Sequence, residues 1–542
     1  MKNKLRKLLC TILSVITATT LFACKSPSDS SSGSGSGDPV RPKGKDIVIY
    51  AGGPSEYAWT EGSEESDVID YIEQKYYEDT GISLNFKISF WSTDMTSKAD
   101  AALSGGAQLD LIVSKAGGDG CAVQYVMGSG SGSKYYDLTD ILDEYGKNIV
   151  EKTKGEPIQT LTTRENEIVG IPSVVNPYNC GILVRKDWMK ACGYTDNAAE
   201  AGDEYELVDN LQTFTAMCLK MKEKYGLNHV ITGAPWDLEK VLTLGAYSNA
   251  GYFDYKYDEE KQLVVPGFTT DEYQKVLALE YDWVKRGLVA KSSNNILLEA
   301  GEANFISGST GVFVLDPTVQ HLIKVARSCK TANAEAEFTV LGPLPETKES
   351  AKKGFMRTSS AMFAACVMEN SSRAIDIVKF INWSYSSVEN YNLCKYGVEG
   401  KHWVNNGDGT YSYPEGKDNY LVRPPYSGIL AFVENQNVSD LTFKGYSEQE
   451  LGWIEAAKNP ENYFENGTET YLWPVVGGSV RNNYVSAKAV VYGDLVLKAW
   501  IGDTEPTKSV FDSFISTYFS SGGTAYSEML TKAYNQIKNM RG

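Results

Sequence analysis

The chain has 542 residues, with 52 basic against 69 acidic side chains and a formal charge of −17. That length is roughly two to four domains' worth and ample for a large buried core. The acidic balance, without any basic cluster, excludes a nucleic-acid-binding body and argues against docking of the body on anionic lipid.

The chain begins with Lys2, Lys4, Arg6 and Lys7, followed by an apolar run from Leu8 to Leu21. The run is too short to span a bilayer comfortably, and with Ala23 behind it the segment reads as an export signal. Leu21-Phe22-Ala23-Cys24 resembles the bacterial lipobox, although Phe22 is bulky for its position. The resemblance implies cleavage after residue 23, a diacylglycerol on the Cys24 thiol and attachment to the outer face of the cell membrane. Residues 24–45 are almost entirely Ser, Gly, Pro, Asp and Lys, a flexible tether that cannot bury apolar area. The folded body is expected over 46–542, and no second apolar run of membrane length follows.

The body opens β-α-β-α-β: a strand at 46–50, a helix at 67–80 ended by Gly81, a strand at 82–90, a helix at 95–103 and a buried strand at 109–113. Alternation of this kind predicts a parallel α/β sheet with ligands outside the carboxyl ends of its strands. An extended segment runs from Gly170-Ile171-Pro172 to Val184, ahead of a helix at Arg185-Lys186-Asp187-Trp188. Then come a helix at 210–225, a strand at 229–232 and a loop, Gly233-Ala234-Pro235-Trp236. A hairpin is expected at 255–265, a helix at 270–286, a strand at 310–315 and a turn at Asp316-Pro317. Gly342-Pro343-Leu344-Pro345 is a connector before a helix at 371–385. The C-terminal third reads as Tyr- and Trp-rich loops, then helices near 481–501 and 526–539.

Beyond the leader the cysteines are Cys121, Cys180, Cys192, Cys218, Cys329, Cys366 and Cys394. Irregular spacing, an odd number and apolar context favour buried free thiols. His229, His321 and His402 are scattered and form no metal motif, so no metal and no cofactor are expected. Asn405-Asn406-Gly407-Asp408-Gly409 lacks a full calcium-loop pattern and reads as a hairpin turn. The 34 Tyr and 10 Trp against 18 Phe supply amphipathic faces of the kind on which sugar rings stack.

Several segments together resemble the large extracellular solute-binding lipoproteins of bacterial ABC importers, the carbohydrate-type family 1. They are Thr80-Gly81-Ile82 with Leu109-Asp110-Leu111-Ile112; Gly170-Ile171-Pro172 with Leu183 to Trp188; Thr269 to Leu288; and Tyr396-Gly397-Val398-Glu399-Gly400-Lys401-His402-Trp403. They occur in the family's order and cover about Asp46 to Met540. The resemblance implies a two-lobed periplasmic-binding-protein-like fold with crossover hinge strands. Lobe one would take approximately 46–175 and 343–400, and lobe two 176–342 and 401–542. It implies hinge closure on a carbohydrate ligand, delivery to permease subunits, a monomer and no catalysis. A surface-anchored polysaccharide-active enzyme and a peptide-binding importer component stay as alternatives.

A sugar site needs aromatic platforms and planar hydrogen-bonding groups on loops facing the cleft. The candidates are Trp236, Trp59, Tyr57 and Trp91 at strand ends, Tyr178 and Asn179 at the hinge, Asp316 after its strand, and Glu399 and Trp403 in the YGVEGKHW segment. Arg357 and Arg481 are candidates for gripping a carboxylate or hydroxyl pair.

Overall fold

A computed structural model describes residues 41–52, 63–91, 95–115, 134–154, 161, 167–175, 181–233, 235–291, 298–315, 319–350, 354–357, 363–417, 424–466, 468 and 486–541. The expected signal peptide, Cys24 and most of the expected tether lie outside the described residues. The body forms the two-lobed α/β fold expected from the sequence, each lobe built on a mixed sheet.

In lobe one the chain makes β1 (Lys45–Gly52), α1 (Glu64–Thr80), β2 (Leu84–Trp91), α2 (Met95–Ser104), β3 (Leu111–Lys115) and β4 (Ile171–Pro172). Lobe two follows with β5 (Gly181–Arg185), α3 (Leu211–Tyr225), β6 (Ile231–Thr232), α4 (Asp271–Lys285), α5 (Leu298–Ile306), β7 (Val312–Leu315), α6 (Val319–Ala332) and β8 (Phe338–Leu341). The chain returns to lobe one with β9 (Phe363–Val367), α7 (Ala374–Ser384) and α8 (Val388–Tyr396), and back to lobe two with α9 (Glu448–Lys458), α10 (Lys508–Tyr518) and α11 (Thr524–Arg541).

The first sheet has the order β2-β1-β3-β9-β4. Its period-2 pattern serves two faces, as a sheet covered on both sides demands. Ile47, Ile49 and Ala51 pack with Val68, Ile69, Ile72 and Tyr76 of α1 and with Phe380 of α7. Val48 and Tyr50 turn the other way, toward Met95 and Ala99 of α2. Helix α1 starts where the Ser63 hydroxyl accepts from Ser66 N and stops at Gly81, whose φ of 70° a side chain would strain. Asp110, just before β3, is a buried fastener: its carboxylate accepts from Val48 N at 2.9 Å and from the Ser371 hydroxyl at 2.6 Å.

The second sheet has the order β8-β5-β7-β6. One face carries Met217, Met221 and Trp283, the other Phe305, Leu322 and Cys329. The hairpin Tyr255–Asp258 with Leu263–Pro266 forms as expected and joins the C-terminal helices in a further core around Phe268, Tyr518 and Tyr526. Cys192, Cys218, Cys329, Cys366 and Cys394 are buried free thiols; Cys121 and Cys180 lie outside the described residues. Val404–Asn405 and Thr410–Ser412 pair antiparallel, so Asn406 to Gly409 is a hairpin turn.

Two sequence expectations need correction. Pro235 does not continue a loop: it opens the helix Pro235–Leu238, a position where its missing N–H costs nothing. That helix runs into a π-helical turn, Glu239–Leu244. The lobe boundaries also differ. Leu344 and Phe355 pack in the second core, whereas Tyr426 and Ile429 to Val433 pack in the first.

Candidate functional site

In both sheets the chain passes between the lobes at the same kind of edge. In lobe one β1, β2, β3 and β4 run parallel and β9 opposes them. In lobe two β6, β7 and β8 run parallel and β5 opposes them. The opposed strand in each sheet is the one that receives the chain from the other lobe. β4 leaves lobe one at Pro172, and β5 begins at Gly181. The strand Phe355–Arg357, paired with Tyr463–Glu465, leads to Phe363 at the start of β9. A third passage follows 434–436 and reaches Tyr446, which packs against α6 and α9. The carboxyl ends of the parallel strands therefore share an edge with these passages, the place where loops can reach a ligand from both lobes.

On lobe one, this edge carries Trp91 at the end of β2. Its ring lies 5.8 Å from Tyr50 and 5.5 Å from the Lys98 ammonium, and its buried indole N–H has no hydrogen-bond partner among the described residues. The first turn of α2 sits on the strand ends, since a Cβ on Gly52 would meet Met95 Sδ at 3.9 Å and Ser114 Cα at 3.8 Å. Phe363, 37% exposed, opens β9, and its amide donates to the Ser173 hydroxyl at 3.0 Å. Sequence reasoning missed Phe363: it is in phase with buried Ala365 and reads as core.

On lobe two, the turn after β6 admits no side chain. Gly233 has φ 154°, and a Cβ there would lie 2.7 Å from Val314 O. This close approach fixes the start of the helix that carries Trp236. Beside it, His321 Nε2 bonds Glu302 Oε1, joining α6 to α5.

Of the sequence candidates, Trp91 is at the shared edge, and Trp236 is in the first turn of the helix that follows β6. Arg357 ends its strand opposite Glu465 in register. Trp403 is packed: 3% exposed, its indole donating to Gly397 O at 2.8 Å and its ring 5.3 Å from Tyr396. Glu399 is exposed, bridged to Trp403 through backbone. Tyr57, Trp59, Tyr178, Asn179, Asp316 and Arg481 lie outside the described residues.

Several motif residues are structural fasteners. The Arg185 guanidinium bonds both Asp187 oxygens, at 2.9 and 2.5 Å, and lies 4.4 Å from the Trp188 ring. Trp188 in turn stacks on Tyr225 at 4.2 Å. In the YGVEGKHW segment His402 Nδ1 accepts from Val398 N at 2.9 Å, and burial pulls its pKa below the usual imidazole value. Burial would lower the pKa of Lys395, but Glu434, 2.6 Å away, outweighs it and keeps the ammonium charged beside the third passage.

Among the described residues no group of His, Cys, Asp and Glu could hold a metal ion, and no helix is long and apolar enough to cross a membrane. An apolar cavity of about 390 Å³ lies among the C-terminal helices, lined by Val490, Val491, Phe514 and Tyr518.

No protein-family profile and no curated protein matches the chain. Solved structures do. The N-glycan transport solute binding protein NgtS from Streptococcus pneumoniae matches with a TM-score of 0.65 at 13% identity, over 92% of this chain and 100% of that one. The alginate-binding protein AlgQ2, without calcium ion, matches with 0.66 at 14% identity, over 91% and 98%. An HMO binding, ABC-transporter associated solute binding protein from Bifidobacterium longum infantis matches with 0.63 at 13% identity, over 91% and 99%. The likeness spans the body and establishes its fold as that of these two-lobed binding proteins.

Proposed function

We propose that this chain is the solute-binding component of an ABC importer. It captures a carbohydrate, an oligosaccharide in length, between its lobes and delivers it to permease subunits. It works at the outer face of the membrane, held by lipid on Cys24, as a monomer and without transforming its ligand. The observation that carries this reading is the pair of opposed strand-end edges joined by hinge passages, in a fold shared with proteins named for N-glycan, alginate and HMO binding. Such an edge positions loops from both lobes around one ligand, so that binding and closure are the same event.

Aromatic side chains at the edge, Trp91, Phe363 and Trp236, would stack on sugar C–H faces, and polar groups would accept hydroxyls. The test is thermal shift against an oligosaccharide panel, followed by small-angle scattering with the ligand that shifts most. A cognate ligand at a hundredfold excess over its dissociation constant should stabilise by about 2.7 kcal/mol, and the molecule should become more compact. Identical scattering with and without saturating ligand rules out closure. Cleavage of an oligosaccharide by the purified protein favours the enzyme alternative.

A further inference from the structure

Lobe two holds a carboxylate at the strand-end edge where the chain arrives from lobe one, fixed there by an imidazole. Glu302 is on α5 and His321 in the first turn of α6, and His321 Nε2 bonds Glu302 Oε1. Both helices are seated on strand ends. A Cβ on Gly301 would meet Thr232 Oγ1 at 3.4 Å and Gly233 N at 3.5 Å, which lays α5 against the end of β6. Leu322, next to His321, lies over Gly181, where the chain arrives from lobe one: a Cβ on Gly181 would meet Leu322 Cδ1 at 2.7 Å. The side chains keep 20% and 27% of their surface exposed, and Glu302 Oε2 has no partner among the described residues.

We propose that Glu302 reads ligand hydroxyls from lobe two, with His321 as its positioning residue, and that this selects a neutral sugar unit bearing adjacent hydroxyls over a uronate. The inference rests on the carbohydrate-binding reading above. An ionised carboxylate only accepts hydrogen bonds. With Oε1 committed to the imidazole, Oε2 and the remaining lone pair of Oε1 accept two neighbouring hydroxyls. Hydrogen bonds to a charged acceptor are the stronger kind, and the imidazole holds the rotamer in advance, so less side-chain freedom is lost on binding. A sugar carboxylate brought to the same place meets like charge and finds no donor on Glu302. If the pair merely ties α5 to α6, its loss lowers stability and leaves affinity alone.

The experiment uses the full-length chain and four probes: mannotriose, lacto-N-tetraose, kestose and an alginate trimer. Each is tested by thermal shift and calorimetry on wild type, Glu302→Gln, His321→Gln and the double variant. We expect a neutral sugar to bind more tightly than the alginate trimer. Glu302→Gln should lower affinity for it tenfold to hundredfold and leave the ligand-free melting temperature in place. His321→Gln should cost less, and the double variant should bind no more weakly than Glu302→Gln alone, because the imidazole acts only through the carboxylate. If Glu302→Gln does not fold, Glu302→Asp keeps the charge but shortens the reach and should still lose affinity. Silence of all four probes overturns the carbohydrate reading and this inference with it. Tightest binding of the alginate trimer overturns the inference alone, as does unchanged affinity in Glu302→Gln.

Discussion

Val174 and Asn435, far apart in the chain, lie side by side in parallel register. Val174 N donates to Glu434 O at 2.8 Å, and Gln436 N donates to Val174 O at 2.7 Å. On the other flank Ser173 N donates to Phe363 O at 2.8 Å. The passages between the lobes are therefore laced together by backbone hydrogen bonds where they leave lobe one. If the lobes close on a ligand as proposed, the bending belongs beyond this lacing, toward lobe two, because the laced segment is tied to the first sheet.

Tyr391 supports that lacing from α8. Asn435 N donates to its hydroxyl at 2.6 Å, and both residues are fully buried. Tyr391→Phe leaves the amide without its acceptor, which should cost about 1–3 kcal/mol of stability. Denaturant unfolding measures the cost. A midpoint equal to wild type would show that the Asn435 amide is satisfied elsewhere.

Stability should fall as pH rises through the weakly acidic range. Burial pushes the Glu65 carboxyl up to about 7 against opposing hydrogen bonds from the Ser427 hydroxyl and amide. Burial likewise raises Glu239 and Glu280 in lobe two, where the Tyr273 hydroxyl donates to Glu239 and the Trp500 indole to Glu280. A carboxyl with a raised folded pKa keeps its proton while the unfolded chain has lost its own. The folded state then binds more protons, and stability declines with increasing pH. For Glu65 the window runs from its ordinary value near 4.5 up to about 7. Unfolding free energy measured from pH 4.5 to 8 should decrease, and Glu65→Gln should flatten part of that slope. A wild-type curve that rises through this window contradicts the assignment.

Local pattern carried most of the architecture. The strand at 45–52, the helices at 64–80 and 271–285 and the hairpin at 255–266 each follow from periodicity and caps within one segment. The family-like motifs were legible too, and in the structure Asp110, Arg185 and His402 within them are fasteners: Asp110 accepts from Val48 N and Ser371, Arg185 grips Asp187, and His402 accepts from Val398 N. The third passage was not legible, because Tyr426 to Val438 joins the first core through long-range contacts, among them those with Glu65, Phe86, Phe380, Tyr391 and Lys152. Phe363 and Glu302 failed for the same reason. Their setting is made by strands and helices that meet in space, and nothing in their own neighbourhood marks an edge.

Trp403 illustrates the limit of reading an aromatic residue as a platform. With its ring buried and its indole N–H spent on Gly397 O, Trp403→Ala should cost about 3–5 kcal/mol of stability. Affinity for any ligand the fold still binds should be unchanged. A stable variant with weakened binding would return Trp403 to the ligand site.

The anchor is tested by partition. Wild-type protein from whole cells should enter the detergent phase, and Cys24→Ala should stay aqueous or remain as uncleaved precursor. Wild type found wholly in the aqueous phase, without lipid, contradicts the lipobox reading.

Trp236 is the residue on which the site proposal depends most. The backbone of Gly233 approaches Val314 so closely that the chain must turn there, and Pro235 then starts a helix. Trp236 follows in its first turn, just beyond the end of β6. Stacking against a sugar ring combines apolar burial with attraction between C–H groups and the ring face, worth on the order of 1–3 kcal/mol. Trp236→Ala should therefore weaken oligosaccharide binding roughly tenfold to hundredfold and leave unfolding cooperative. If the indole instead fills the lobe-two core, truncation costs about 3–5 kcal/mol of stability and affinity survives. Calorimetric titration and thermal melting of this one variant separate the outcomes. A large fall in melting temperature with unchanged affinity would move the search to Trp91 and Phe363 on the opposite lobe.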